Sequence, residues 1–307
     1  MDKKRTSDSI RAFVSRPAFD ESWIPGKDPS FPRISVVTPS FNQGDFLEHT
    51  ILSVLNQDYP NLEYIIIDGG STDRSIEIIK KYEKHLTYWV SEKDNGQSDA
   101  INKGFRRSTG DILAWLNSDD LYLPGTLLKV GRFFLSKPHV DVLYGDLFIA
   151  DAEERILRTI KEVGFYKKAL MHGAMNINQQ SMFWRKRAFA KAGPLRNLYF
   201  YMDGYLLLSF VKNSVAMWHI PDALAVFRVH SGTKTSDGKK YCYEYRELHK
   251  EFFGLDIESV PCKLFRLCYS LRRLVLFIIQ GDLGYVLSGL RTKLLGIRIS
   301  SLSNKNG

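Results

Sequence analysis

Asp119 and Asp120 stand side by side in Asn117-Ser-Asp-Asp120. Adjacent carboxylates offer a hard cation such as Mg2+ or Mn2+ the oxygen ligands it prefers, with phosphate oxygens and water completing the shell. A metal-bound diphosphate is the ligand that such a pair suits. The continuation Asp-Asp-Leu-Tyr-Leu-Pro also reads as a solvated turn before a proline-started helix, so the pair by itself leaves both readings open. Asp68 closes the apolar run Ile65-Ile-Ile67, where a carboxylate can accept hydrogen bonds from a base or ribose, or cap the following turn. Pro39-Ser-Phe-Asn42 forms a third polar cluster after an apolar run. The Gly69-Gly70 pair is not part of a GxGxxG pattern, and GxxxxGK[ST] is absent; dinucleotide-dependent oxidoreductase and P-loop chemistries thereby lose their main support.

The elements that must position these clusters alternate along the chain. Ile34-Ser-Val-Val-Thr38 is a β-branched strand pattern, followed by a 3.6-residue apolar period through Phe46, Leu47, Ile51, Val54 and Leu55. Leu62 to Ile67 repeats the strand signal, Ser71-Thr-Asp73 supplies N-cap chemistry, and Ile76, Ile79 and Tyr82 set a helical stripe. A short strand at Leu86 to Val90, a helix at Ser98 to Arg107, a strand at Asp111 to Leu116, a helix at Pro124 to Leu135 and a strand at Val140 to Tyr144 continue the alternation. Shorter strand candidates follow at Arg155 to Ile160, Gln180 to Trp184, Ala216 to Ile220 and Ala223 to Arg228, with a helix near Asp203 to Lys212. The alternation implies an α/β fold with a mainly parallel central sheet flanked by helices, whose ligands bind beyond the carboxyl ends of the strands. All three polar clusters would meet at that edge.

Four motifs in this order resemble glycosyltransferase family two: Val36-Val-Thr-Pro-Ser-Phe-Asn42, Ile67-Asp-Gly-Gly-Ser-Thr-Asp73, Asp94-Asn-Gly-Gln-Ser-Asp-Ala-Ile-Asn-Lys-Gly104 and Trp115-Leu-Asn-Ser-Asp-Asp120. The resemblance is dense over residues 33 to 135 and thinner to about 235. It implies the GT-A fold and an inverting transfer of a sugar from a nucleotide-diphosphate sugar to an acceptor hydroxyl. Carried over motif by motif, it implies that Pro39 and Phe41 border the nucleobase and that Asp68 binds the base or its ribose. Asp99 and Asn102 line the nucleotide side, and Asp119 and Asp120 hold Mg2+ or Mn2+ beside the diphosphate. Asn117 stands where many relatives carry another aspartate, which leaves the direct metal ligand open between Asp119 and Asp120.

Inverting transfer needs a base at the acceptor hydroxyl. Asp203, in Tyr201-Met-Asp-Gly-Tyr205, sits where the resemblance places an acid opening a helix; Gly204 stands where many relatives carry a second one. Gln179-Gln-Ser-Met-Phe-Trp184 resembles an acceptor-side strand, with Gln180 hydrogen-bonding sugar hydroxyls and Trp184 stacking on a ring or, alternatively, packing in the core. Phe227-Arg-Val-His230 and Lys234 resemble a late loop over the diphosphate, where Arg228, His230 or Lys234 would neutralise the leaving charge and His230 is a further metal-ligand candidate. Competing readings are a non-catalytic nucleotide-sugar-binding scaffold and a sugar nucleotidyltransferase. The latter needs a basic glycine-rich loop that Asn42-Gln-Gly-Asp45 does not supply.

Composition sets the outer bounds. The 307 residues are 44% hydrophobic and 25% charged, with a mean hydropathy of -0.22, the profile of a folded chain with a sizeable core. No run reads as a membrane-spanning helix, and Met1 to Asp8 lacks the layout of a secretory signal; a cytoplasmic location is expected. Cys242, Cys262 and Cys268 lack CxxC spacing and read as reduced thiols used in packing. The net charge is +9, and residues 261–307 carry eight basic residues against Asp282 alone, or +7 of it. A nearly neutral body disfavours nucleic acid as a partner.

The tail has a sharper pattern. Leu264, Leu267, Cys268, Leu271, Leu274, Val275 and Ile278 follow helical spacing, while Lys263, Arg266 and Arg273 fall on another face. This basic amphipathic helix suits peripheral attachment to an anionic membrane surface, on the inner face of the cytoplasmic membrane, beside a polyprenyl-linked saccharide acceptor. The nucleotide is expected to be of the UDP type. The expected organisation is an arm with little regular structure at 1–32, a nucleotide-sugar half at 33–145, an acceptor half at 146–256 and the amphipathic tail at 257–307.

Overall fold

The computed structural model describes residues 2–16, 30–233 and 238–287. Two compact units form: one from Met1–Gly164 with Ile177–Arg228, the other from Phe165–Asn176 with Val229–Gly307.

The first unit is built on a nine-stranded sheet. Strands β1 (Ile34–Ser40), β2 (Leu62–Asp68), β3 (Tyr88–Ser91) and β4 (Ile112–Trp115) are the β-branched runs seen in the sequence. They lie parallel in the order β3-β2-β1-β4. Register brings Ser40 level with Asp68 and Asp68 level with Ser91, so the polar residues that end these strands gather at one edge. Beyond β4 the directions mix. β8 (Met182–Arg185) is antiparallel to β4 and to β6 (Val142–Ala150); β9 (Met217–Arg228) is parallel to β6. β5 (Leu121–Tyr122) and β7 (Ile156–Ile160) add antiparallel pairs to β9 and β6. The sheet's parallel character is therefore concentrated in its first half. The two strand candidates around residue 220 are one continuous β9, which stays in the sheet across Pro221 through register shifts opposite Asp146.

Helices cover both faces. Side chains of α2 (Leu47–Leu55), α3 (Ser75–Tyr82) and α5 (Thr126–Ser136) enter a core with Val36, Ile66 and Ala114. On the other face, α4 (Gln97–Arg107) lies so close to β1 that a Cβ at Gly104 would fall 2.3 Å from Val37 Cγ1, which is why glycine occupies that helical position. Phe105 of α4 packs edge-on against Trp115 and Trp184, and Trp184 packs against Phe210.

The expected irregular arm is instead helix α1 (Lys3–Ser15) as far as it is described. Asp2 accepts from the backbone N–H groups of Lys4 and Arg5 as its N-cap, and Ile10 and Val14 are buried against Leu121, Phe148 and Val226. Helical spacing of a few apolar residues within a charged segment was enough to dock it.

The second unit contains α6 (Lys167–Met171), α9 (Gly238–Phe253) and α10 (Val260–Ile279); the short α7 (Lys186–Ala192) and α8 (Met202–Lys212) belong to the first. In the second unit Phe265 and Tyr269 of α10 stack with Tyr166, and Phe265 with His172. The opposite face of α10 leaves Leu264, Leu267, Leu271 and Val275 more than half exposed. All three cysteines are free thiols; Cys262 is packed inside, whereas Cys242 and Cys268 are exposed, so packing does not account for those two. Among the described residues no helix is long and apolar enough to cross a membrane.

Candidate active site

The loops after β1 and β2 are laced together. Asn42 N–H donates to Ser71 Oγ at 2.8 Å, Thr72 N–H to Asn42 Oδ1 at 2.9 Å, and Gly69 N–H to Ser40 O at 2.8 Å. Asp68 is the hub of this lacing. Fully buried, it accepts from Gly70 N–H (3.1 Å), Ser71 N–H (2.8 Å), Ser71 Oγ–H (2.6 Å) and Ser91 Oγ–H (2.7 Å). Of the two roles open to it in sequence, this geometry is that of the turn cap. Above it, a Cβ on Gly69 would lie 2.7 Å from Asp94 Oδ2 and 3.3 Å from the Phe41 ring. Bare backbone, a 59% exposed aromatic ring and a carboxylate thus line one cradle. Asp94 lay inside a quoted motif, yet only its fold over Gly69 brings it into this group. Pro39 lies buried at the base of the same loop.

The loop after β4 carries the acidic pair, and the two carboxylates differ. Asp120 is fully buried: Oδ2 accepts from Asn117 Nδ2 (3.2 Å) and Gln180 Nε2 (3.1 Å), and Oδ1 from Arg228 N–H (3.2 Å). Burial and the neighbouring Asp119 charge push its carboxyl well above the usual range. Asp119 is only half-buried. A carboxylate so occupied by protein donors does not suit a metal, so Asp120 as direct ligand is set aside, and Asp119 has the better placement. One carboxylate plus diphosphate oxygens and water is a sufficient shell for Mg2+ or Mn2+, so the residues fit such an ion, held at Asp119. Among the described residues no group of three or more His, Cys, Asp or Glu side chains is placed to hold a metal.

A chain of contacts runs from this loop to α8. Gln97 Nε2 donates to Asn117 Oδ1 at 2.8 Å, and its neighbour Ser98 meets Met202 Sδ at 3.1 Å. Asp203 follows, in the first turn of α8. Its Oδ1 accepts from Gly204 N–H at 2.8 Å, and burial raises its pKa to about 6 against that stabilising bond. Gly204 is required by its neighbour: a Cβ there would fall 2.0 Å from the Tyr201 ring. Tyr201 therefore fills the space that a second acid would need.

Three assignments made by resemblance are corrected, two by burial and one by hydrogen bonding. Trp184 is wholly enclosed among Trp115, Phe105 and Phe210, so it cannot stack on an acceptor ring. Asn102 exchanges two hydrogen bonds with Leu195, Nδ2 to O at 2.8 Å and N–H to Oδ1 at 2.9 Å; it fastens the 193–200 loop and does not line the nucleotide side. Arg228 is also fully buried, with its guanidinium bonded to Asp119 O, Glu154, Phe46 O and Thr50, so it does not face a diphosphate. Asp99 accepts from Asn95 N–H at 3.2 Å and lies 3.5 Å from Lys103 Nζ, closing the loop before α4. Gln180 stays half-buried beside Asp120. His230 lies in the second unit, its N–H on Thr233 Oγ1 and its Nδ1 accepting from Gly232 N–H; Lys234 falls outside the described residues.

The fold agrees with the comparisons. Residues 35–196 match the family model "Glycosyl transferase family 2", more than half of the chain, and the protein belongs to that family. An uncharacterized glycosyltransferase of Mycobacterium tuberculosis is 33% identical over 166 residues, 53% of this chain and 63% of the relative; the chain thus spans less than two thirds of that relative's length. TuaG of Bacillus subtilis, named for teichuronic acid biosynthesis, is 29% identical over 72% of this chain and 90% of its own. Among solved structures, Staphylococcus aureus TarS 1-349 in complex with UDP-GlcNAc superposes with a TM-score of 0.60 at 18% identity, covering 72% of this chain and 66% of that one. Mannosyltransferase PcManGT from Pyrobaculum calidifontis, in complex with GDP-Man and Mn2+, gives 0.57 at 16% identity over 97% and 89%. The fold is the GT-A fold.

Proposed function

We propose that the protein is an inverting glycosyltransferase that moves a sugar from a nucleotide-diphosphate sugar to a hydroxyl of a saccharide acceptor. The observation that carries this reading is the placement of Asp203 in the first turn of α8, next to Met202, which the contacts of Ser98 and Gln97 link to the Asn117–Asp120 loop; a pKa raised to about 6 by burial suits a general base near neutral pH. Asp203 takes the acceptor O–H proton as that oxygen attacks the anomeric carbon from the face opposite the diphosphate. The new C–O bond forms as the bond to the diphosphate oxygen breaks, and the electron pair leaves on the nucleoside diphosphate. A divalent ion at Asp119, Mg2+ or Mn2+, would supply Lewis-acid neutralisation of that leaving charge. Phe41, Pro39, Gly69 and Asp94 border the nucleobase, and Asp68 holds their loop; Gln180 is left as the acceptor-side amide.

The nucleotide is taken to be of the UDP type, a reading supported by the UDP-GlcNAc named with the TarS neighbour. The acceptor is a lipid-linked saccharide of surface polysaccharide assembly, which the likeness to TuaG supports. The exposed leucines of α10 and the basic excess of the tail support attachment to an anionic membrane, on its cytoplasmic face; each basic residue near such a surface contributes about 1 kcal/mol.

Calorimetric titration of UDP, GDP and dTDP with and without Mn2+, against wild type and Asp119→Asn, tests the donor assignment. One nucleotide should bind tightly only with metal, and Asp119→Asn should lose that increment. Absence of binding to every nucleotide would sink the reading and favour a scaffold.

A further inference from the structure

Behind the Asp119 loop lies a network that touches neither proposed ligand. Three successive carbonyls of the loop face two inner donors, the single Thr50 hydroxyl proton being shared between two of them. The Thr50 hydroxyl lies 2.8 Å from Ser118 O and 2.9 Å from Asp120 O, and Arg228 Nε donates to Asp119 O. Arg228 Nη2 in turn donates to Thr50 Oγ1 at 3.0 Å, joining the two holders. Both are fully buried.

The charge of Arg228 is answered by Glu154, whose Oε1 lies 3.0 Å from Nη1 and 2.8 Å from His49 Nδ1. Burial pushes the Glu154 carboxyl up, but the bond from His49 and the Arg228 charge bring it below its ordinary range. Glu154 adopts a left-handed backbone, φ 58°, a conformation that costs a non-glycine residue on the order of 1 kcal/mol. Such a conformation persists only when its surroundings hold it. Here the β6–β7 turn does so, Glu154 N–H donating to Asp151 O at 3.2 Å, and α1 braces its flanks: Ser7 Oγ accepts from Ile156 N–H at 2.9 Å, and Arg11 Nε donates to Glu153 O at 3.0 Å. Helix α1 lies outside the family-matched residues 35–196, so this chain has built the support for the acidic loop partly from its own N-terminal segment.

The backbone that carries Asp119 is thereby tied to Thr50 and Arg228, at its own carbonyl and at those on either side. We propose that Thr50, Arg228 and Glu154 are positioning residues that fix the Asp119 carboxylate, so that metal-dependent binding of a nucleoside diphosphate depends on groups that never touch metal or nucleotide. The inference rests on Asp119 being the metal-holding residue, as read above.

Thr50 gives the cleanest test, because Thr50→Val keeps the shape and removes the hydroxyl, whereas Thr50→Ser keeps the hydroxyl. The probe is Mn2+ with whichever of UDP, GDP and dTDP wild type binds most tightly in its presence, titrated calorimetrically with and without metal. Thr50→Val should lose about tenfold in metal-dependent affinity while metal-free nucleotide affinity stays within about twofold, and Thr50→Ser should restore wild-type behaviour. Glu154→Gln, which retains a hydrogen-bond acceptor for Arg228, should show a smaller loss of the same kind and serves if Thr50→Val does not fold. Equal loss of metal-free and metal-dependent binding would mark a merely structural role and overturn the proposal, as would unchanged affinity in both variants. If wild type binds nucleotide with no dependence on metal, the Asp119 reading falls and the clamp with it; if only the variants behave like wild type, the clamp alone falls.

Discussion

The loops at the ends of β2 and β4 each hold a fully buried aspartate, the first turn of α8 a half-buried one, and the surroundings treat them in opposite ways. Asp68 accepts four hydrogen bonds and Asp120 three, from donors supplied by the loops themselves, by Ser91 of β3, by Gln180 and by β9. Asp203 accepts from Gly204 N–H next to it, and burial prevails, leaving its pKa near 6. A carboxylate surrounded by donors is spent on shape even where, as at Asp120, burial and a neighbouring charge push it up; one with few donors keeps lone pairs for a substrate. The difference separates the acids that hold loops in shape from the one that the proposed function uses as base.

The largest expected effect separates the two kinds. Asp203→Asn removes the proton acceptor and should lower kcat by about 10²- to 10⁴-fold, with nucleotide affinity unchanged and thermal stability equal or higher, since an ionised group is no longer held in a buried place. A matching loss of nucleotide affinity would place Asp203 on the donor side and break the comparison. The same group sets the acid limb of the rate. Its folded pKa is raised, so it holds a proton below about pH 6, and log(kcat) should fall with a slope approaching one as pH drops through that value. In the folding equilibrium the sign is reversed: the folded state keeps a proton that the unfolded chain releases near 3.8, so Asp203 costs stability as pH rises from about 4 to about 6 and adds no further cost above it.

Asp68→Asn probes the other kind. An amide can present one acceptor oxygen but turns its NH2 toward donors that already point at this site, leaving Ser71 or Ser91 unsatisfied. The expected cost is about 3 kcal/mol of stability, read as a lowered denaturation midpoint, with KM for the donor rising and kcat little changed. A fall in kcat alone would mean that Asp68 acts on the substrate directly.

Much of this architecture was legible from periodicity. Ile34 to Thr38 and Leu62 to Ile67 are buried on both faces, and a continuous β-branched run reports that condition without knowledge of neighbours. The strand-end rule then located the edge. The fates of Trp184, Asn102 and Arg228 were not legible, because each depends on a partner far along the chain: Trp115, Leu195 and Glu154 respectively. An indole or guanidinium has the same sequence signature whether it faces a ligand or a core. Helix α1 was obscured for another reason. Lys3, Lys4, Arg5 and Asp8 dominate its composition, while the faces of Ile10 and Val14 gain meaning only against Phe148 and Val226.

The smallest effect tests how the first turn of α8 keeps Asp203 short of donors. Gly204 sits beneath the Tyr201 ring with no room for a Cβ, and the ring, almost wholly buried, covers the turn next to Asp203. Gly204→Ala must displace that ring, at a cost of about 1–3 kcal/mol for overpacking, while the helix itself gains slightly from alanine. If the ring is what withholds solvent from Asp203, its displacement admits water, lowers the pKa, and moves the acid limb of the pH–rate profile below 6. Tyr201→Ala should move the limb in the same direction, without the steric cost to be relieved. In the double variant the two stability losses should be less than additive, because removing the ring abolishes the clash. A limb that stays near 6 in all three variants would show that burial of Asp203 comes from the body of the unit, and that Tyr201 packs beside the base without tuning it.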